Sequence, residues 1–494
     1  MELTYILAGL LPLLSPAAAE TVLGAYVFHR HGDRTSKSTP PTSLTALGAD
    51  EVYVSGSYYR SRYVAENGTS QILAIQPNVV KLSQLSVVAP VDNVLYNSAQ
   101  VFLQGLYPPA GSAAEQTLAN GSTVEAPLNG YQYIPISASS AAASSSGSED
   151  SGWLQGSSGC GNAVVSSNDY FKSDEFVSTQ SRTLDFYHSI LPVINATFTE
   201  DETNFKNAYT IWDLIHVATI HNSSIPSDYL LTNSSLHQLQ TLADAHEWGL
   251  AYNASEPIRA ISGSVLAGQI LDALNTTVLA APAKTSAQRL SMQFGAYGTF
   301  MSFFGLAGLP AASANFYGIV DYASSMTFEL VTNATVDTNS TSALSTDDIS
   351  VRFLFANGSA SDSNPLTAYP LFGQAETVLS WADFVSGMQE FTISDTASWC
   401  AACGNTTGTC ASYSSSSSSG SDSGSSNTTS TDKGGNGVSK PVAGVIGALV
   451  TLVVILGVEG LVMAIGGLRL TKKRSQAAAA AAGTGAATGE GVKA

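Results

Sequence analysis

Short runs of β-branched and aromatic residues alternate along this chain with longer stretches of helical spacing, and turn residues mark the boundaries. The run from Thr21 to Phe28 is rich in β-formers and predicts a buried strand, which Gly32 brings to an end. Thr45 has the chemistry of an N-cap, and the helix it opens should run to about Glu66 with Leu47, Val54 and Tyr58 on one side. Leu85 to Ala89 predicts the next strand, and Asn97 to Leu106 a helix stopped by Pro108-Pro109. From Tyr170 to about Leu279 the spacing becomes mainly helical, with Asn-rich breaks such as Asn222-Ser223-Ser224. Arg289 to Phe294 then predicts a strand, Thr299 to Leu306 the helix after it, and Met326 to Val331 and Val351 to Phe355 two later antiparallel strands. This mixture of elements is that of an α/β fold.

The ends of the chain follow different patterns. Met1 to Glu20 carries an apolar core, Leu3 to Leu14, and a small-residue cleavage site ending at Ala19, so residues 1–19 predict a signal peptide. Ser137 to Gly159 is low-complexity Ser, Ala and Gly, a surface excursion. Residues 413–440 are almost all Ser, Gly, Thr and Asp, with no apolar surface to fold around, and predict a stalk. Residues 441–470 are apolar apart from Glu459 and, near the end, Arg469, and exceed the ~20 residues that cross a bilayer. Lys472, Lys473 and Arg474 follow at once, the flank of a type I single-pass protein with residues 471–494 as its cytoplasmic tail. A GPI signal also has a spacer and an apolar tail. The length of this run and the polar segment beyond it favour a true span.

Composition narrows the class further. Charged residues make up 12% of the 494 and the net charge is −18, so a nucleic-acid partner, which requires a basic face, is excluded. Asn-X-Ser/Thr sequons recur at Asn67, Asn120, Asn195, Asn222, Asn233, Asn253, Asn275, Asn333, Asn339, Asn357, Asn405 and Asn427. That density fits a glycosylated protein of the secretory pathway, displayed at the plasma membrane or cell surface. Cys160, Cys400, Cys403 and Cys410 then read as two disulfides, for which three pairings exist. Cys400-Ala-Ala-Cys403 resembles a redox centre or half a zinc site, but no second pair and no nearby His completes a ligand set, so neither a metal nor a cofactor is expected.

The chemistry concentrates in Val27-Phe28-His29-Arg30-His31-Gly32-Asp33-Arg34-Thr35, at the carboxyl end of the first strand. Two guanidiniums flanking one imidazole form a clamp for phosphate oxygens, and the imidazole of His31 is placed to attack phosphorus. His29 shares the strand face of His31 and reads first as a strand-end His bonded to backbone. Arg30-His31-Gly32-Asp33-Arg34 resembles the Arg-His-Gly-X-Arg signature of the histidine acid phosphatases, the branch holding prostatic-type acid phosphatases and fungal phytases. The order of signature, loop, Leu44-Thr45-Ala46-Leu47-Gly48, long helix and Tyr58-Tyr59-Arg60-Ser61-Arg62-Tyr63 resembles that family too. The resemblance implies His31 as the phosphorylated nucleophile, with Arg30 and Arg34 binding phosphate. It also implies a phosphoglycerate-mutase-like α/β sandwich over residues 20–412, with a helical subdomain inserted at about 170–280.

The family also supplies a third phosphate-binding Arg and a His-Asp pair whose Asp protonates the leaving oxygen. By local register the Arg position holds Val94, and the His-Asp positions hold Ala296 and Tyr297. No Arg lies between Arg62 and Arg182, and Arg182 falls outside the expected order. His246-Glu247, in a predicted helix, reads as structural. Three functions compete: a surface acid phosphatase hydrolysing phosphate monoesters through His31, a pseudo-phosphatase binding a small anion or a partner, and a structural surface glycoprotein. The oligomeric state is not readable from the sequence.

Overall fold

The computed structural model describes residues 20–139, 159–222, 225, 229–282, 284–337 and 339–414. The predicted signal peptide, nearly all of the stalk, the apolar run at 441–470 and the tail lie outside these residues, as does most of the Ser-rich excursion. Among the described residues no helix is long and apolar enough to cross a membrane.

Eight strands form one mixed sheet: β1 (Thr21–His29), β2 (Leu85–Pro90), β3 (Ser137–Ser139), β4 (Leu290–Phe294), β5 (Ser325–Thr332), β6 (Ser350–Ala356), β7 (Thr367–Ala368) and β8 (Val378–Ser380). Their order is β8-β6-β5-β1-β4-β2-β3, with β7 beside β6. β1 is the seam. It pairs parallel with β4, and β2 runs parallel to both β4 and β3. On its other side it pairs antiparallel with β5, which continues antiparallel through β6 to β8. A strand paired on both edges and covered on both faces must be apolar throughout, which is why Thr21 to Phe28 shows a continuous run rather than an alternation.

Helices cover both faces. On one side Ala25 and Val27 pack with Tyr59, Phe102 and Leu103, carried by α1 (Ala46–Tyr59) and α2 (Leu95–Leu106). On the other, Tyr26 and Phe28 pack with Leu266, Ile270, Phe300 and Phe304, carried by α7 (Ile261–Val278) and α8 (Tyr297–Leu306). The helical insertion comprises α3 (Gly161–Asp169), α4 (Asp174–Ile194), α5 (Ala208–His221) and α6 (Asn233–Ala251), and it has an apolar cluster of its own around Phe176, Tyr187, Phe205, Ile211, Ile215 and Leu239. Cys160 is bonded to Cys403 and Cys400 to Cys410, which ties the start of the insertion to the end of the domain. Cys400 and Cys403 thus pair elsewhere rather than with each other.

Thr45 caps α1 as expected, accepting from the Gly48 N–H. The buried face differs from the expectation. Leu47 and Val54 are 42% and 38% exposed, while Gly48, Val52, Ser55, Gly56 and Tyr59 are buried. The reason is close backbone packing at Gly48 and Gly56, which sets the buried side, with Val52 and Tyr59 filling the space beside them. The helix also stops at Tyr59 and continues as a wider π-helical turn, Arg60–Val64. This turn brings Arg62 and Tyr63 onto Glu329 of β5, whose buried carboxylate accepts from Arg62 at 2.7 Å, Tyr63 at 2.6 Å and Arg352 at 2.9 Å.

The signature loop rests directly on the first turn of α1. A Cβ on Gly32 would lie 2.1 Å from the Gly48 carbonyl oxygen, and a Cβ on Gly48 would lie 2.0 Å from the Asp33 carbonyl oxygen. Both clashes are backbone against backbone, with no flexible side chain to yield. Gly48→Ala should therefore cost about 1–3 kcal/mol by overpacking, read as a drop of several degrees in the thermal unfolding midpoint. An unchanged midpoint would show that the loop does not depend on this contact.

Candidate functional site

The signature leaves the end of β1 and is held from every side. The Arg30 N–H donates to Ser324 O at 2.8 Å, and the His31 carbonyl accepts from Ala323 N–H at 2.8 Å. Gly32 N–H donates to Ser98 Oγ of α2 at 3.3 Å, and Asp33 N–H to Glu51 Oε2 of α1 at 2.7 Å. The Asp33 carboxylate accepts from Thr45 Oγ1 and lies 2.6 Å from His221 Nε2, at the end of α5. His31 Nδ1 lies 2.7 Å from Gly32 O. A carbonyl only accepts, so Nδ1 carries a proton, which makes Nε2 the ring nitrogen suited to attack phosphorus. His29 does what a strand-end His was expected to do, donating from Nδ1 to Arg30 O at 2.5 Å, with Ser55 Oγ at 2.8 Å from Nε2. Burial pushes its imidazole down to about 4, so it is neutral.

The two guanidiniums already have partners within the chain. Arg30 donates to Val320 O, and its guanidinium carbon lies 4.8 Å from the ring centre of Tyr322 and 5.3 Å from that of Tyr297. Arg34 is paired with Asp213 at 2.9 Å and donates to Tyr209 Oη and Thr35 O, each at 3.0 Å. Lys37 lies over Tyr209 and Tyr297 at 5.2 and 5.5 Å. The Tyr322 ring lies 5.6 Å from that of His31, and burial pushes its phenol well above the ordinary value. Arg30 is 2% exposed, and His31 and Arg34 are fully buried.

Val94, Ala296 and Tyr297 each lie just beyond the end of a strand. Val94 is 1% exposed and directly precedes α2, beyond the end of β2. Ala296 and Tyr297 follow β4 and open α8, with Gly295 N–H bonded to the His29 carbonyl at 3.0 Å. Tyr297 lies against Tyr209 with tilted rings whose centres are 4.9 Å apart, and it donates its hydroxyl proton to Glu247 Oε2 at 2.8 Å. The other oxygen of Glu247 lies 2.8 Å from His246 Nδ1, and His246 is buried among Phe171, Phe176 and Phe205. The His-acid pair read as structural thus also orients Tyr297. Arg182 is exposed on α4, where it reaches back to Thr179.

Sequence reasoning missed the contribution of α5. Tyr209, Asp213 and His216, at i, i+4 and i+7, form a polar stripe facing the signature, while Ile211 and Ile215 face the insertion's own core. His216 stacks on Trp212 at 4.8 Å and lies 5.9 Å from Tyr322; burial, then the nearby Arg30 charge, holds its imidazole below the ordinary value. The signal was a polar stripe in an otherwise apolar helix. Among the described residues, no group of three or more His, Cys, Asp or Glu side chains is placed to hold a metal.

A family model for the histidine phosphatase superfamily, branch 2, matches residues 38–356. Among solved structures, the phytase of Hafnia alvei in its apo form is similar at 13% identity and a TM-score of 0.51, over 79% of this chain and 99% of that one. The phytase of Citrobacter braakii is similar at 13% identity and a TM-score of 0.50, over 78% and 99%. No curated protein matches.

Glu51 gives the site a pH dependence. Burial, with the Asp33 carboxylate adding to it, raises its carboxyl from 4.5 to about 7 against the hydrogen bond from Asp33 N–H. The folded chain thus holds this proton more tightly than the unfolded chain. The associated stability is fully present below about pH 4.5 and is lost as pH rises through 7. Glu51→Gln should therefore unfold at a higher denaturant midpoint than wild type at pH 8, by about 1–2 kcal/mol after allowing for partial exposure, with the difference closing at pH 4. Equal midpoints at pH 8 would refute the assignment.

Proposed function

The chain belongs to the histidine phosphatase superfamily, branch 2, and from that premise we propose that it binds a small anion without turning over phosphate monoesters. In this reading it is a pseudo-phosphatase, a glycoprotein held at the cell surface. One observation carries the reading. The position that should protonate the leaving oxygen holds Tyr297, whose ring lies over Arg30 and whose proton is directed to Glu247. Losing a general acid costs about 10²–10⁴ in rate. Val94 in place of the third Arg removes a charge-assisted hydrogen bond to phosphate worth about 1.5–3 kcal/mol. The ligand class that fits Arg30 and Arg34 is a phosphate ester or a similarly sized sulfate or carboxylate. Display at the surface is supported by the predicted signal peptide at 1–19, the sequons, the stalk at 413–440 and the apolar run at 441–470 with its basic flank.

The His31 tautomer favours a second reading, a slow phosphatase restricted to esters of acidic alcohols, whose leaving groups need little protonation. Phosphate release by the full-length protein separates the two. The substrates are an activated aryl phosphate and an alkyl phosphate at acidic pH, with His31→Ala alongside. The pseudo-phosphatase reading expects indistinguishable rates from wild type and variant. Turnover that disappears with His31→Ala, on either substrate, would overturn it.

A further inference from the structure

The Asp213 carboxylate is bound in the way an anionic ligand would be. It is 1% exposed and lies against the signature loop, far along the chain from its donors. Arg34 Nη2 lies 2.9 Å from Oδ1, while Ser36 Oγ and the Lys37 N–H donate to Oδ2 at 2.9 and 2.8 Å. Ser36 Oγ accepts from the Ser38 N–H at 3.2 Å, which leaves its own proton for the carboxylate. The hydroxyl and the backbone N–H hydrogen-bond Oδ2 while the guanidinium faces Oδ1 as an ion pair, a set of groups suited to an oxyanion. All three come from residues 34–37, and the acceptor comes from the insertion.

Packing does not demand a carboxylate there. The apolar residues of α5 point into the insertion's own core, and Asp213 points away from it. A buried carboxylate is retained at such a place only when its partners compensate the loss of water. Its neighbours on the same stripe also engage the site, Tyr209 through Arg34 and His216 through Tyr322.

We propose that Asp213 is an internal stand-in for the ligand: its carboxylate occupies the Arg34–Ser36–Lys37 donor set and holds the insertion against the signature until a small tetrahedral oxyanion displaces it. The proposal rests on the reading that the site binds rather than hydrolyses, and it assigns the regulation of that binding to one side chain. The ligand and the carboxylate compete for the same donors, so removing the carboxylate should raise affinity for the anion and leave a fold that the anion stabilises.

The test uses the full-length protein, Asp213→Ala, Asp213→Asn and the double variant Asp213→Ala/Arg34→Gln. The probe is inorganic phosphate, with chloride at matched ionic strength as control, read by titration calorimetry and by the thermal midpoint. Asp213→Ala should bind phosphate at least about tenfold more tightly than wild type. Its midpoint, lowered without anion, should recover in phosphate and not in chloride. The double variant should lose the gain. If Asp213→Ala does not fold, Asp213→Asn, which keeps an acceptor oxygen but no charge, decides the matter by the same ratio. A folded variant that binds phosphate no better than wild type, or a gain that survives without Arg34, would overturn the proposal. Hydrolysis is scored separately. A variant that gains both phosphate affinity and His31-dependent turnover would support the stand-in and sink the pseudo-phosphatase reading. Turnover by wild type would sink that reading alone, with the stand-in still judged by the affinity ratio.

Discussion

Positive charge buried at the end of a central strand is the constraint around which this molecule is arranged. β1 is covered on both faces, and the loop that leaves it carries Arg30 and Arg34 with at most 2% exposure. An unpaired charge at that depth is not tolerated, so the surrounding elements must supply the counter-charge. Asp213 and the Tyr209 hydroxyl come from α5 of the insertion, and the ring faces of Tyr297 and Tyr322 come from α8 and the turn before β5. Glu329 answers the same constraint at mid-sheet, where Arg62 and Arg352 meet one buried carboxylate. In both places a single acid locates several elements at once.

The central part of the fold was readable because its constraints are local. β1 is apolar throughout since both its faces are covered, and Thr45 is a cap whose geometry needs only the next three residues. The strand at Leu290–Phe294 and the helix from Tyr297 were readable from the order of a short apolar run and a helical one. The buried face of α1 was misjudged for a reason of the opposite kind. Apolar size normally marks the buried side, but here helix α2 approaches so closely that a Cβ on Gly56 would lie 2.1 Å from the Phe102 carbonyl oxygen. Smallness marks the interface there, and no property of the helix alone reveals it.

The contents of the site were harder to read for a related reason. His31, Arg30 and Arg34 are contiguous and carry a signature, whereas their partners arrive from over a hundred residues away. Tyr209 and Asp213 are unremarkable in sequence until α5 is seen to have its apolar face turned elsewhere. A helix with two separate obligations, an apolar one to its own bundle and a polar one to a neighbouring loop, has a weak amphipathic pattern, and its second face is easily read as solvent-facing.

The side chains around Arg30 and Tyr297 interlock. Tyr297 covers Arg30 with its ring while its hydroxyl is held by Glu247, which His246 in turn contacts. Restoring an Asp at 297 alone would remove a ring from two cations and place a carboxylate near Glu247, an arrangement that the present set of residues does not neutralise. Effects within such a constellation are not additive. The surroundings of His31 are thus a mutually consistent set for holding positive charge without water. That consistency, more than any single residue, is the ground on which the proposed binding role rests.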